Sequence, residues 1–185
     1  FIIQLIALSI NGINPIVYMK KSLALLILAF TSRSSVGCLP VTIETLTQKL
    51  GVNQATASFV AGFGTTAGMQ GCAGIFPSLL IVYVCHLTGT VMDFSMIVMT
   101  IIVVTLGSLG IAGIPGTATM AASVGLSGVG MASSFSLIGP ILAIDPLIDM
   151  ARTMLNVSGS VTNALIIDKR LGNLDENIYN EINKN

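Results

Sequence analysis

After a short apolar run from Phe1 to Ile10, four long apolar blocks follow, and small or polar residues interrupt each of them. The opening run is about half of the ~20 residues a helical span needs. It lacks the basic start and cleavage site of a signal peptide, so 1–10 reads as the end of a truncated transmembrane helix from a longer protein. Asn11-Gly-Ile-Asn-Pro15 breaks that helix. The block over 15–50 carries Thr31-Ser-Arg-Ser-Ser-Val-Gly-Cys-Leu-Pro40 at its middle. A straight span would not hold Arg33, three serines, Gly37 and Pro40 at its centre. Two half-helices joined by a turn fit better, a re-entrant hairpin that leaves Lys20, Lys21 and Lys49 on one side.

The block over 53–87 is long enough to cross a membrane, yet Gly64, Gly68, Gly71 and Gly74 interrupt it. Each glycine costs about 1 kcal/mol relative to Ala inside a helix, which predicts a broken transmembrane helix or a very close backbone approach. Gly64 and Gly68 also fit a small-xxx-small helix-packing pattern. In the block over 94–130, Gly107, Gly110, Gly113 and Gly116 recur around Pro115 and predict a second re-entrant hairpin. The last block, 135–167, reads as a transmembrane helix with one polar face. Asp168-Lys-Arg170 is expected to end it, leaving 168–185 as a polar, frayed tail. Hairpin, broken span, hairpin, span is an inverted-repeat layout, in which discontinuous helices bind substrate and ions near the midplane.

Composition supports the spans. Of 185 residues, 53% are hydrophobic and 9% charged, against ~25% charged in a soluble domain. Between Lys49 and Asp145 the only formal charge is Asp93, so the chain reads as an all-α, multi-span membrane protein in contact with the lipid bilayer. Outside the two intramembrane arginines, Lys20, Lys21, Lys49, Lys169, Arg170 and Lys184 fall on one side of the predicted topology. The loops around 86–93 and 128–134 have no Lys or Arg, which places the C-terminus in the cytoplasm by the positive-inside rule. A net charge of zero with no basic run gives no footprint for nucleic acid. Cys38, Cys72 and Cys85 are too widely spaced for a disulfide framework or a zinc site.

The chemistry concentrates in the last span. Asp145, Asp149, Arg152, Thr153, Asn156 and Ser160 share a wedge of roughly 100° on one helix face. Ionisable groups in hydrocarbon persist mostly where they face a cavity. An amino acid would place its ammonium on Asp149 and its carboxylate on the hairpin-tip N–H groups with Ser34, Ser35 and Asn156. Arg152 suits a second, distal carboxylate. The alternative is an internal Asp149–Arg152 pair at i,i+3, which would leave Arg33 and Asp145 as further intramembrane charges to explain. No enzyme motif of the nucleophile-elbow, metalloprotease or phosphate-loop kind is present.

Arg33-Ser-Ser-Val-Gly-Cys-Leu-Pro40, Gly110-Ile-Ala-Gly-Ile-Pro-Gly116 and Asp149-Met-Ala-Arg-Thr-Met-Leu-Asn-Val-Ser-Gly159 resemble the dicarboxylate/amino acid:cation symporters, the glutamate-transporter family. The resemblance implies that the whole chain is the C-terminal part of an elevator-type transport domain, in a protein that is a homotrimer through its N-terminal part. It implies that Asp149 takes the ammonium, Arg152 the side chain, and Thr153 and Asn156 assist. Ser34 and Ser35 would supply the first tip, and Ile111, Ala112, Gly113 and Ile114 the second, gating tip. Arg33 and Asp145 would serve as gating or charge-balancing groups. The family's broken-helix motif Asn-Met-Asp-Gly-Thr reads Gly68-Met-Gln-Gly-Cys72 here, and Ser160 stands where the eighth helix ends its carboxylate series. Two sodium sites thereby lose their carboxylates. A remaining cation site would use Thr66, Gly68, Met69, Ser108, Leu109, Ile111 and Asn156. The coupling cation is then a sodium ion, or a proton on Asp145 or Asp149, and no other cofactor or metal is implied. Gly71-Cys-Ala-Gly74, Pro146-Leu-Ile-Asp149 and Asn156-Val-Ser-Gly-Ser160 are similar to the bacterial L-cystine uptake branch, which implies cystine:cation symport by alternating access in the cell membrane. Glutamate, aspartate or a C4-dicarboxylate is the alternative substrate, and a channel or structural membrane subunit the alternative class.

Overall fold

The computed structural model describes residues 1–181, and among these the chain is helical throughout. α1 (Ile2–Ile10) ends at the Asn11-Gly12 turn, where Gly12 takes φ +70°. Asn14 then caps α2 (Pro15–Ser32) by accepting from the Ile16 N–H at 2.9 Å, with Pro15 at the first helical position. α2 stops at Arg33, which holds the left-handed conformation at φ 56°. It is the one non-glycine residue with positive φ among the described residues. A tight turn follows, closed by the Gly37 N–H on Ser34 Oγ at 2.9 Å, and the chain returns through α3 (Leu39–Glu44) and a π turn over Thr45–Lys49. The open end of this hairpin is tied by Lys21 Nζ donating to the Lys49 carbonyl at 2.9 Å.

α4 (Gln54–Gly64), capped by Asn53, breaks at Thr65–Met69 and resumes as a π turn (Gln70–Ile75) leading into α5 (Phe76–Thr88). Asp93 caps α6 (Phe94–Ser108) through the Met96 N–H at 2.8 Å. An irregular tip over 109–116 joins it to α7 (Thr117–Gly128). A 3₁₀ segment (Ala132–Ile138) leads into α8 (Gly139–Leu171), 33 residues long. The helices α2 (Pro15–Ser32), 70–88 and 132–171 are long and apolar enough to cross a membrane. α2 meets that criterion by length and composition, yet the chain reverses at Arg33 and comes back beside it.

Two apolar cores lie along α8. One gathers α1, the first hairpin, α4 and the C-terminal half of α8 around Leu8, Leu25, Leu46 and Leu165. The other gathers the broken helix and the second hairpin with Ile138, around Phe76, Ile81, Ala122 and Leu126. The first hairpin has its base near the C-terminal end of α8, where Arg170 Nε donates to Asn11 at 2.8 Å. The second has its base at the other end, where Cys85 meets Met96 and Met131. The hairpins therefore enter from opposite ends of α8, and their tips meet near its middle.

The expected frayed tail is a correction. α8 ends at Leu171, directly after Asp168-Lys-Arg170, where Gly172 at φ 71° supplies the left-handed cap. The chain then folds back as α9 (Glu176–Asn180), with Tyr179 buried in the first core. The polar composition of the tail concealed a single aromatic anchor. Lys184 lies outside the described residues.

Candidate substrate site

Three interruptions converge at one point. The Val36 N–H and Ser34 Oγ of the first tip both donate to the Gly113 carbonyl of the second, at 3.1 and 3.2 Å. The broken helix completes the junction, and only a glycine fits there. A Cβ on Gly113 would sit 2.8 Å from the Thr65 carbonyl and 2.9 Å from Ser35 Cβ. The break in α4 thus leaves Thr65 to Met69 irregular where both tips abut it.

The four charges read from the sequence form one chain beside this junction. Arg33 Nε lies 3.2 Å from Asp149 Oδ2. Arg152 Nη2 lies 3.3 Å from Asp149 Oδ1 and 2.6 Å from Asp145 Oδ1. The internal Asp149–Arg152 pair exists, and the two charges it would have left over are paired as well. Two cations against two anions leave no net charge, which is the condition for holding them in a low-dielectric interior. The Arg33 side chain is 26% exposed against 4% for Asp149, so the cluster opens on the first-hairpin side.

Arg152 is not fully satisfied. Its Nε and Nη1 are buried and have no hydrogen-bond partner, while the Phe76 ring lies 3.8 Å from the guanidinium carbon. Stacking on an aromatic face holds the guanidinium flat without using its donors. A buried N–H without an acceptor is costly, by about 1–3 kcal/mol each. The two lie on different edges of the guanidinium, so each is open to a separate acceptor oxygen.

The remaining predicted residues divide. Ser35 and Thr153 are buried at the junction and on the polar face of α8. Asn156 is buried but already engaged, since it accepts from the Gly71 N–H at 2.7 Å and donates to Cys72 Sγ at 3.1 Å. Ile111 and Gly113 are buried, whereas Ala112 and Ile114 are exposed. Of the cation candidates, Gly68, Met69 and Ser108 line one cleft of about 200 Å³. Thr66 is exposed and bonds its own helix at Phe63, and Leu109 is exposed.

Two contributors escaped sequence reading. Cys72 lies 3.6 Å from Asp149 Oδ1, and Phe76 covers Arg152. Their i,i+4 spacing was the available signal, since it puts both on the face of the broken helix that meets α8. Gln70 is a third, donating to the Leu155 carbonyl at 2.8 Å across a helix contact that Gly159 leaves open.

The chain that brings together two helical hairpin tips, a broken helix and a charged final helix matches a known family model. The description of that family is sodium:dicarboxylate symporter, and it matches residues 1–170. The chain belongs to this symporter family. Its family and its long apolar helices are those of a multi-pass membrane protein. It is similar to the L-cystine uptake protein TcyP of Bacillus cereus, 43% identical over 182 residues, covering 98% of this chain and 39% of the relative. The TcyP proteins of Bacillus licheniformis (42% over 182 residues, 98% and 39%) and Shouchella clausii (41% over 185 residues, 100% and 39%) are similarly related. The chain thus spans 39% of the length of the curated relatives it matches.

Proposed function

We infer that the protein takes up L-cystine by symport with a cation, and that the junction of the two tips with α8 is the substrate site. The observation that carries this reading is the pair of unpartnered buried N–H groups on Arg152 beside Asp149. Cystine presents two ammonium and two carboxylate groups. One amino-acid end would place its ammonium on Asp149, displacing Arg33, and its carboxylate on the tip N–H groups with Ser34 and Ser35. The distal carboxylate would satisfy Arg152. Thr153 and Asn156 would close the floor. The names of the similar TcyP proteins support cystine over other amino acids.

An acidic amino acid or C4-dicarboxylate would use the same Arg152 donors, and the family's description includes dicarboxylates. The coupling ion is one sodium in the cleft of Gly68, Met69 and Ser108, or a proton on Asp145 or Asp149. The protein sits in the cell membrane with its C-terminus in the cytoplasm, and it assembles as a homotrimer.

The test is uptake of labelled cystine by the full-length protein in vesicles. Asp149→Ala should abolish it, and excess glutamate should leave it intact. Transport undisturbed by Asp149→Ala refutes the site, and full inhibition by glutamate transfers the assignment to acidic substrates. Removing sodium, then collapsing the proton gradient, identifies the coupling ion.

A further inference from the structure

The structure assigns to α9 the role of a strap that fastens the open end of the first hairpin to the end of α8. This goes beyond the transport reading and holds whatever the substrate is. The strap begins where Gly172 turns the chain and Asp175 caps α9 through the Asn177 and Ile178 N–H groups. The Asp175 N–H donates to the Gly51 carbonyl at 2.9 Å, just past the hairpin's second arm. Gly51 has φ +71°, and a Cβ there would collide with the Asp175 carbonyl, so the approach depends on glycine at that position.

Lys21 is the fastening between arms and strap. Its Nζ donates to the Lys49 carbonyl at 2.9 Å and to the Ile178 carbonyl at 2.5 Å, and it lies 5.9 Å from the centre of the Tyr179 ring. One ammonium therefore holds the first arm, the end of the second arm and the tail together. Tyr179 is 3% exposed and donates its hydroxyl to the Asn14 carbonyl at 2.9 Å. Burial pushes its phenol above the ordinary tyrosine range, so it stays protonated and keeps donating. Lys169 pairs with Glu176 and ties the strap back to α8. At the far end of the same hairpin, Arg33 is bonded to Asp149 of α8. The hairpin is thus pinned to one helix at both ends.

The base of the second hairpin is built otherwise. Cys85 meets Met96 and Met131 there through sulfur contacts of 3.6 and 3.8 Å. These contacts are weak and adaptable, where the first base has backbone bonds and an ammonium.

Hydrogen–deuterium exchange on the full-length protein tests the strap without any transport measurement. The Leu50 and Val52 N–H groups, bonded to the Thr45 and Leu46 carbonyls, report the end of the second arm. Tyr179→Ala should speed exchange across 45–53 by about tenfold or more and leave 94–128 unchanged. Lys21→Met, which removes the fastening and leaves the Tyr179 anchor, should do the same and serves if Tyr179→Ala fails to fold. Unchanged exchange across 45–53 in a variant whose 176–180 amides have opened overturns the strap. Acceleration spread evenly over both hairpins overturns it too, because that marks general loss of stability.

Discussion

Arg152 is the residue on which the site turns, because it is both paired and incomplete. Its Nη2 balances Asp145 and Asp149, while Nε and Nη1 wait for an acceptor. Lysine can keep the charge balance but cannot present the same planar set of donors or lie flat on Phe76. Arg152→Lys should therefore raise KM for cystine roughly 10- to 100-fold while the protein still folds, since each bond to a charged group is worth ~1.5–3 kcal/mol. Uptake measured against substrate concentration checks this, and an unchanged KM would remove Arg152 from substrate contact. Asp149→Ala makes a different demand. It strands two arginines, and breaking a buried pair by deleting one partner costs about 3–5 kcal/mol. A lowered melting temperature should accompany its loss of uptake. Asp149→Asn should lose uptake with a smaller thermal penalty, since its amide oxygen can still accept from one of the two arginines.

At the scale of elements, the glycines separate close approaches from ordinary helix positions. A Cβ on Gly64 would strike the Ser160 side chain, whereas a Cβ on Gly74 would meet nothing within 4 Å. Gly64→Ala should destabilise the α4–α8 contact by roughly 1–3 kcal/mol, and Gly74→Ala should be neutral or better. The collision is specific, so Ser160→Gly should recover part of the loss in the double variant. Additive losses in a thermal-unfolding cycle would show that the two residues do not compete for that space.

These glycines also show what the sequence could disclose. Breakers at the middle of apolar blocks expose the two hairpins and the helix break, because a lipid-facing helix has no other reason to carry Arg33 or Pro115 there. The polar wedge on α8 is legible by the same periodicity. The partners across the site are not, since Cys72 and Phe76 look like any apolar pair until α8 is placed against them. Gln70 reads as a lost carboxylate, yet its amide clips two helices together. The charge density of the tail suggests solvation, while a left-handed Gly172 and one buried tyrosine decide its path.

Over the whole molecule, the arrangement of charge follows from the opposed hairpins. Lys21, Lys49, Lys169 and Arg170 gather where the first hairpin, the end of α8 and the strap meet. The opposite end, near Cys85 and Met131, lies beside loops without Lys or Arg. Only the reversal at Arg33 allows this, because a straight α2 would carry Lys49 to the other pole. Basic residues are retained on the cytoplasmic side, so the strap end should face the cytoplasm and the 89–93 loop the exterior. In a cysteine-free background, Thr90→Cys should react with an impermeant maleimide in intact cells. Asn173→Cys should react only after the membrane is opened. Labelling of both from outside would mean that the second hairpin is a full crossing, and the swapped pattern, Asn173 outside and Thr90 inside, that the first one is; either would bring down the opposed-hairpin topology on which the proposed substrate site depends.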